Sequence, residues 1–138
     1  MALFIEFLAQ QWFLFVPLIV CLTLLMQHES RKGGPTLTSQ QLINKVNQEQ
    51  AVVVDLRDSA DFGKGHIVDA LNIPHAKLAD KLAELESYRD RPIVLTCKMG
   101  QHSGAAGKLL RTKGFENIFR LSGGITEWQA SQLPLVTK

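Results

Sequence analysis

The sequence predicts an α/β domain, with a central, mostly parallel sheet and helices on both faces, preceded by one N-terminal transmembrane helix. Three observations predict it. From residue 38 onward, short β-branched apolar runs alternate with helically spaced apolar stripes, and that order forces parallel crossovers with helices on the sheet faces. The stretch Leu3 to Met26 is almost wholly apolar, roughly two dozen residues that rise ~36 Å as a helix, enough to cross a bilayer core. The 138 residues, 46% of them hydrophobic, suffice to bury one core and leave no room for a second.

Residues 1–28 are the expected membrane anchor. Glu6, Gln10 and Gln11 lie toward its N-terminal end with Trp12 beside them, as suits an end at the head groups, so that Trp12 to Met26 fills the hydrocarbon. Pro17 would at most kink the helix. A cleaved signal peptide needs a basic start, a shorter apolar stretch and a small-residue cleavage site, and these are not seen. A soluble domain this small could hardly hide so uniformly apolar a helix in its core. Arg31 and Lys32 follow the span and no Lys or Arg precedes it. The positive-inside bias therefore predicts a single pass through the inner (cytoplasmic) membrane, with the N-terminus outside and the domain in the cytoplasm. Thiols stay reduced in that compartment. Residues 29–36, with Gly33, Gly34 and Pro35, are the expected linker, and residues 37–138 the domain.

The domain opens with a helix whose start is written twice: Thr38 with Gln41 forms a capping box, and Leu37 with Leu42 a hydrophobic staple. Ala51 to Val54, ending at Asp55, reads as a fully buried strand. A short apolar run at Ala70 to Ile73, a helix with Leu78, Leu82 and Leu85 on one face, and a strand Ile93 to Leu95 come next. Ala105, Ala106, Leu109 and Leu110 stripe another helix, which Ser103 could cap and which Lys113 and Gly114 would close. Ile118 to Leu121 supplies a last core strand.

The only cysteines are Cys21, in the apolar stretch, and Cys97, and segments so different in character argue against a disulfide between them. Cys21 reads as a small hydrophobe. Cys97 follows a strand end and precedes a helix, in the segment Cys97-Lys98-Met99-Gly100-Gln101-His102-Ser103-Gly104. Sites in parallel α/β folds lie at strand carboxyl ends, and flanking polar residues argue against deep burial of the thiol. The loop's backbone N–H groups can converge on one point, and with the positive end of the helix dipole they favour thiolate over thiol. Lys98 and His102 could add positive charge. A thiolate so cradled can attack a sulfane sulfur or a phosphorus atom. Cysteine phosphatases use Cys-x5-Arg, but Ser103 occupies the arginine position here, so the clamp for phosphate is missing and sulfur chemistry is favoured.

The loop, with Ala105-Ala106, Leu109-Leu110 and Gly114-Phe115 after it, resembles the active-site segment of rhodanese-like domains. The resemblance extends through Asp55-Leu56-Arg57, Gly65-His66-Ile67, Ala70 to Pro74, and Leu121-Ser122-Gly123-Gly124 with Trp128, covering roughly residues 36–136. With the N-terminal span, the chain looks like a single-domain, membrane-anchored bacterial rhodanese. The resemblance implies a three-layer rhodanese-like fold and a sulfurtransferase. Cys97 would attack a donor such as thiosulfate or a low-molecular persulfide, hold the sulfur as a persulfide, and pass it to a thiol or cyanide-like acceptor. It implies substrate binding by Lys98, Met99, Gly100, Gln101, His102 and Ser103, and it requires neither metal nor organic cofactor. Arg57, at a strand end, is the better pocket candidate of the Asp55–Arg57 pair.

Many active relatives carry Arg where this chain has His102, which implies weaker, pH-dependent binding of an anionic donor and better service for a neutral persulfide. Asp69 stands where glycine is frequent, a turn variation. His66 reads as a hydrogen-bonded structural group. Trp128, Gly123 and Gly124 read as packing and turn residues at the edge of the site. The alternative function is a catalytically weak docking module for a membrane protein partner. The lipid bilayer is a partner in either case, and a net charge of +2 without a basic run argues against nucleic acid.

Overall fold

The computed structural model describes residues 1–137, so Lys138, the last residue of the expected domain, lies outside the described residues. It divides at Arg31 into an N-terminal helical unit and a unit that begins at Lys32.

The N-terminal unit is two helices, α1 (Ala2–Gln10) and α2 (Trp12–Arg31), rather than one. Gln11 leaves helical geometry at φ −115°, ψ 19°, and its carbonyl accepts the Leu14 N–H at 2.9 Å, so the second helix restarts there. The helix continues through Pro17, as the sequence suggested. Trp12–Glu29, with mean hydropathy 1.6 and none of it buried, is long and apolar enough to cross a membrane.

In the second unit, five parallel strands are ordered β1-β5-β4-β2-β3. They are β1 (Thr36–Leu37), β2 (Val52–Asp55), β3 (Leu71–Asn72), β4 (Ile93–Thr96) and β5 (Ile118–Leu121). Helices α3 (Ser39–Glu49), α4 (Ser59–Lys64), α5 (Ser103–Thr112) and α6 (Gly124–Ala130) join them. The central strands β2 and β4 are buried at every position because both faces are covered, and they are apolar up to Asp55 and Thr96 at their carboxyl ends. Strand alternation sends Val52, Val54, Ile93 and Leu95 into one core with Ala106 and Leu110, and Val53 and Val94 into another with Leu42, Ile125 and Trp128. A three-layer α/β fold with a parallel central sheet is what the sequence predicted.

The capping box forms as written. The Thr38 N–H donates to Gln41 Oε1 at 2.9 Å, and the Gln41 N–H to Thr38 Oγ1 at 3.2 Å.

Several expectations change. The leucine stripe at 78, 82 and 85 is not α-helical. His75–Lys77 and Ala79–Tyr88 are 3-10 turns interrupted at Lys81 (φ −113°), and they still bury Leu78 and Leu85. Ser103 does not cap α5; it is the first helical residue, and its hydroxyl donates to the Gly100 carbonyl at 3.0 Å.

The stretch 33–35, within the expected linker, is tightly seated against the domain. Gly33 crosses α5 so closely that a Cβ on it would stand 2.5 Å from the Gly104 carbonyl oxygen, and one on Gly107 would collide with the Gly33 carbonyl. Arg120 ties the stretch to β5, donating from its backbone N–H to the Pro35 carbonyl and from Nε to the Gly34 carbonyl, both at 3.0 Å. Burial, with a smaller contribution from the Arg111 charge, lowers the Arg120 pKa from its ordinary value.

Candidate active site

Cys97 stands where β4 ends and α5 has not yet begun, at the carboxyl edge of the sheet beside the ends of β2 and β5. Its Sγ accepts the Gly100 N–H at 3.0 Å and the His102 N–H at 3.4 Å. Those two amides make the nest that the sequence suggested. The Met99 N–H goes instead to Gln101 Oε1 at 3.1 Å, and the same oxygen lies 3.9 Å from the sulfur. The curl depends on Gly100 at φ +92°, a backbone region that side chains disfavour. Ser103 holds it closed through the Gly100 carbonyl. Two N–H dipoles and the α5 terminus aimed at one sulfur stabilise negative charge on it.

The other side of the loop is held by Ile125 and Thr126, to which the sequence gave no role, beside the glycines it read as turn residues. The Cys97 carbonyl accepts the Ile125 N–H at 2.9 Å. The Lys98 carbonyl accepts both the N–H and the Oγ1–H of Thr126, at 2.9 and 2.8 Å. This clamp needs glycine at 124, where φ is +59° and a Cβ would collide with the Cys97 carbonyl oxygen. The paired glycines were the only signal for it. The Trp128 indole, donating from Nε1 to the Pro134 carbonyl at 3.0 Å, keeps to the packing role expected of it.

Cys97 is 1% exposed, more deeply set than its strand-end position suggested. It meets the outside through a cavity of about 330 Å³ that it lines together with Arg57, Asp58, Asp61, His75, Lys98 and His102. Gln101 also lines this cavity, whereas Met99 is exposed.

Arg57 is placed at the wall with its guanidinium committed. Nε and Nη2 engage both oxygens of the fully buried Asp55 at 2.7–3.1 Å, and Nη2 also donates to the Gly65 carbonyl at 2.7 Å. His66 is a structural group. Its ring stacks on Phe62 at 3.8 Å, and Nδ1 lies 2.9 Å from the Phe62 carbonyl oxygen. His102 is exposed and stacks on His75, ring centroids 4.6 Å apart. His75 was missed in the sequence. It follows Pro74 in a block that reads as strand and turn, and nothing there marks it as facing a cysteine loop.

A family profile described as the rhodanese-like domain matches residues 38–131. The uncharacterized protein YibN of Escherichia coli K12 is 36% identical over 101 residues, 72% of this chain and 71% of its own. The thiosulfate sulfurtransferase GlpE of Shewanella oneidensis is 33% identical over 92 residues, 67% of this chain and 89% of its own. Among solved structures, a rhodanese-related protein of Thermoplasma volcanium superposes with TM-score 0.68 at 29% identity, covering 75% of this chain and 99% of that one.

Proposed function

Since the chain belongs to the family of rhodanese-like domains, a sulfurtransferase-like family, we propose that it is a membrane-anchored sulfurtransferase that carries sulfane sulfur on Cys97. The observation that supports this most directly is the pair of backbone N–H groups directed at Cys97 Sγ on the floor of an open cavity. The thiolate attacks the outer sulfur of thiosulfate, a new S–S bond forms, the old one breaks, and sulfite leaves. Attack by an acceptor thiolate on the terminal sulfur of the Cys97 persulfide then regenerates the cysteine and releases the acceptor persulfide; cyanide leaves as thiocyanate. The same amides serve both steps because negative charge returns to the Cys97 sulfur in the second. Lys98 to Ser103 and Arg57 form the substrate wall in this reading.

Helix α2 supplies the anchor. Arg31 and Lys32 directly after the span favour an inner-membrane, single-pass arrangement with the enzyme domain in the cytoplasm.

The test is intact mass after incubation with thiosulfate or a low-molecular persulfide. The expected product is one sulfur atom heavier, reverts with cyanide, and does not form in Cys97→Ser. Protein that stays at its starting mass with every donor defeats the enzymatic reading and leaves the docking module.

A further inference from the structure

The cavity above Cys97 adjoins a second hollow of about 210 Å³, and the two have Arg57, Asp61 and Lys98 in common. The second hollow extends past Lys64 and Gln129 toward Leu135.

Charge is divided unequally between the two. Arg57 is cancelled by Asp55 in a pair 2.7 Å apart with side chains 10% and 0% exposed. Among its remaining carboxylates and ammonium groups, the chamber at the sulfur then holds Asp58 and Asp61 against Lys98. Asp58 occupies the N-cap position of α4 but makes no side-chain capping bond, which leaves its carboxylate to act on the chamber. The second hollow holds Lys64 and Lys98 against Asp61, and Lys64 lies 3.8 Å from Asp61, a loose pair with the lysine 79% exposed.

A small dianion such as thiosulfate would bring its charge into the acidic chamber. A persulfide brings at most one negative charge there, with its carboxylate several bonds away from the reacting sulfur. We propose that the second hollow is a subsite for a carboxylate-bearing tail, and that the donor suited to this enzyme is a persulfide on a carboxylate carrier rather than thiosulfate. This rests on the sulfurtransferase reading above and specifies its substrate. The outer sulfur of R–S–S–H enters the chamber, and Cys97 thiolate attacks it. The Cys97–S bond forms, the carrier S–S bond breaks, the proton stays on the transferred sulfur, and the carrier leaves as thiolate; no external oxidant or reductant is needed.

The experiment is single-turnover sulfur loading of the full chain in detergent at pH 8, where an ordinary imidazole is uncharged. Loading is read by quenched intact mass with three donors: glutathione persulfide, 2-hydroxyethyl persulfide, which carries no carboxylate, and thiosulfate. Glutathione persulfide should load fastest and thiosulfate slowest. Lys64→Gln should slow glutathione persulfide by about tenfold and leave 2-hydroxyethyl persulfide unchanged, and Asp58→Asn should speed thiosulfate by about tenfold. Thiosulfate loading fastest in the parent protein, or Lys64→Gln slowing both persulfides alike, overturns the tail subsite while leaving the sulfurtransferase reading intact. Failure of all three donors to load Cys97 overturns both.

Discussion

The two cysteines occupy opposite environments, and the difference runs against first intuition. Cys21 is exposed on an apolar helix between Val20 and Leu22, themselves about half exposed, whereas Cys97 is almost completely buried. The exposed thiol lies on a surface suited to hydrocarbon, where a thiolate is poorly solvated. The buried one has two amide dipoles and a cavity mouth. In the proposed function the reactive cysteine is set apart from the inert one by the arrangement of donors around its sulfur, and solvent exposure would rank the two the other way.

The hardest test of that contrast removes each sulfur in turn. Cys97→Ser is expected to abolish sulfur loading, and Cys21→Ser to leave its rate within about twofold of the parent. Both rates are read by intact mass from the same detergent preparation. Loading that survives Cys97→Ser and disappears in Cys21→Ser would reverse the assignment.

The next largest effect falls on the scaffold beside the chamber. Asp55→Ala would strand a guanidinium that is only 10% exposed with the Gly65 carbonyl as its remaining partner. Removing one member of a buried, bidentate pair costs about 3–5 kcal/mol, so thermal unfolding of the domain should shift down strongly. Replacing both partners with apolar residues should recover much of the loss. A small shift for the single variant would mean that water solvates Arg57 from the cavity.

Gly124→Ala probes the clamp on the far side of the loop. A methyl group there meets the Cys97 carbonyl oxygen in a backbone conformation that L-residues avoid. The expected cost is about 2–3 kcal/mol together with a loading rate at least tenfold slower, because the Cys97 and Lys98 carbonyls must move. A stable variant that loads at the parent rate would show that α6 packs on the loop without shaping it.

These sites also mark how far the sequence could be read. The Cys97 loop was legible because a strand end, a glycine and a helix start lie within a few residues, and every contact in the nest is local. The central strands were legible because burial on both faces demands unbroken apolar runs. Helix α4 carries no apolar stripe and α6 is seven residues long, too short for periodicity to declare itself. Nor can a ten-residue leucine pattern separate three residues per turn from 3.6, so the 3-10 geometry of Ala79–Tyr88 was out of reach. Arg57 lines the cavity, but its commitment to Gly65 depends on a carbonyl eight residues away. The stacking of His75 on His102 joins segments that only the fold brings together.

The smallest effect is the control that gives the larger ones meaning. Thr38→Ala removes the side-chain oxygen that accepts the Gln41 N–H, and with it half of a capping box on an exposed helix end. The loss should be about 1 kcal/mol, visible as a drop of several degrees in thermal unfolding. Helix α3 packs Leu42 into the core containing Val53 and Val94, whereas Cys97 belongs to the core on the opposite face. Sulfur loading measured well below the transition should therefore match the parent. If this variant lost loading in proportion to its stability, the slow loading expected of Gly124→Ala would report only a weakened fold. If loading holds while stability falls, the geometry of the loop sets the reactivity of Cys97.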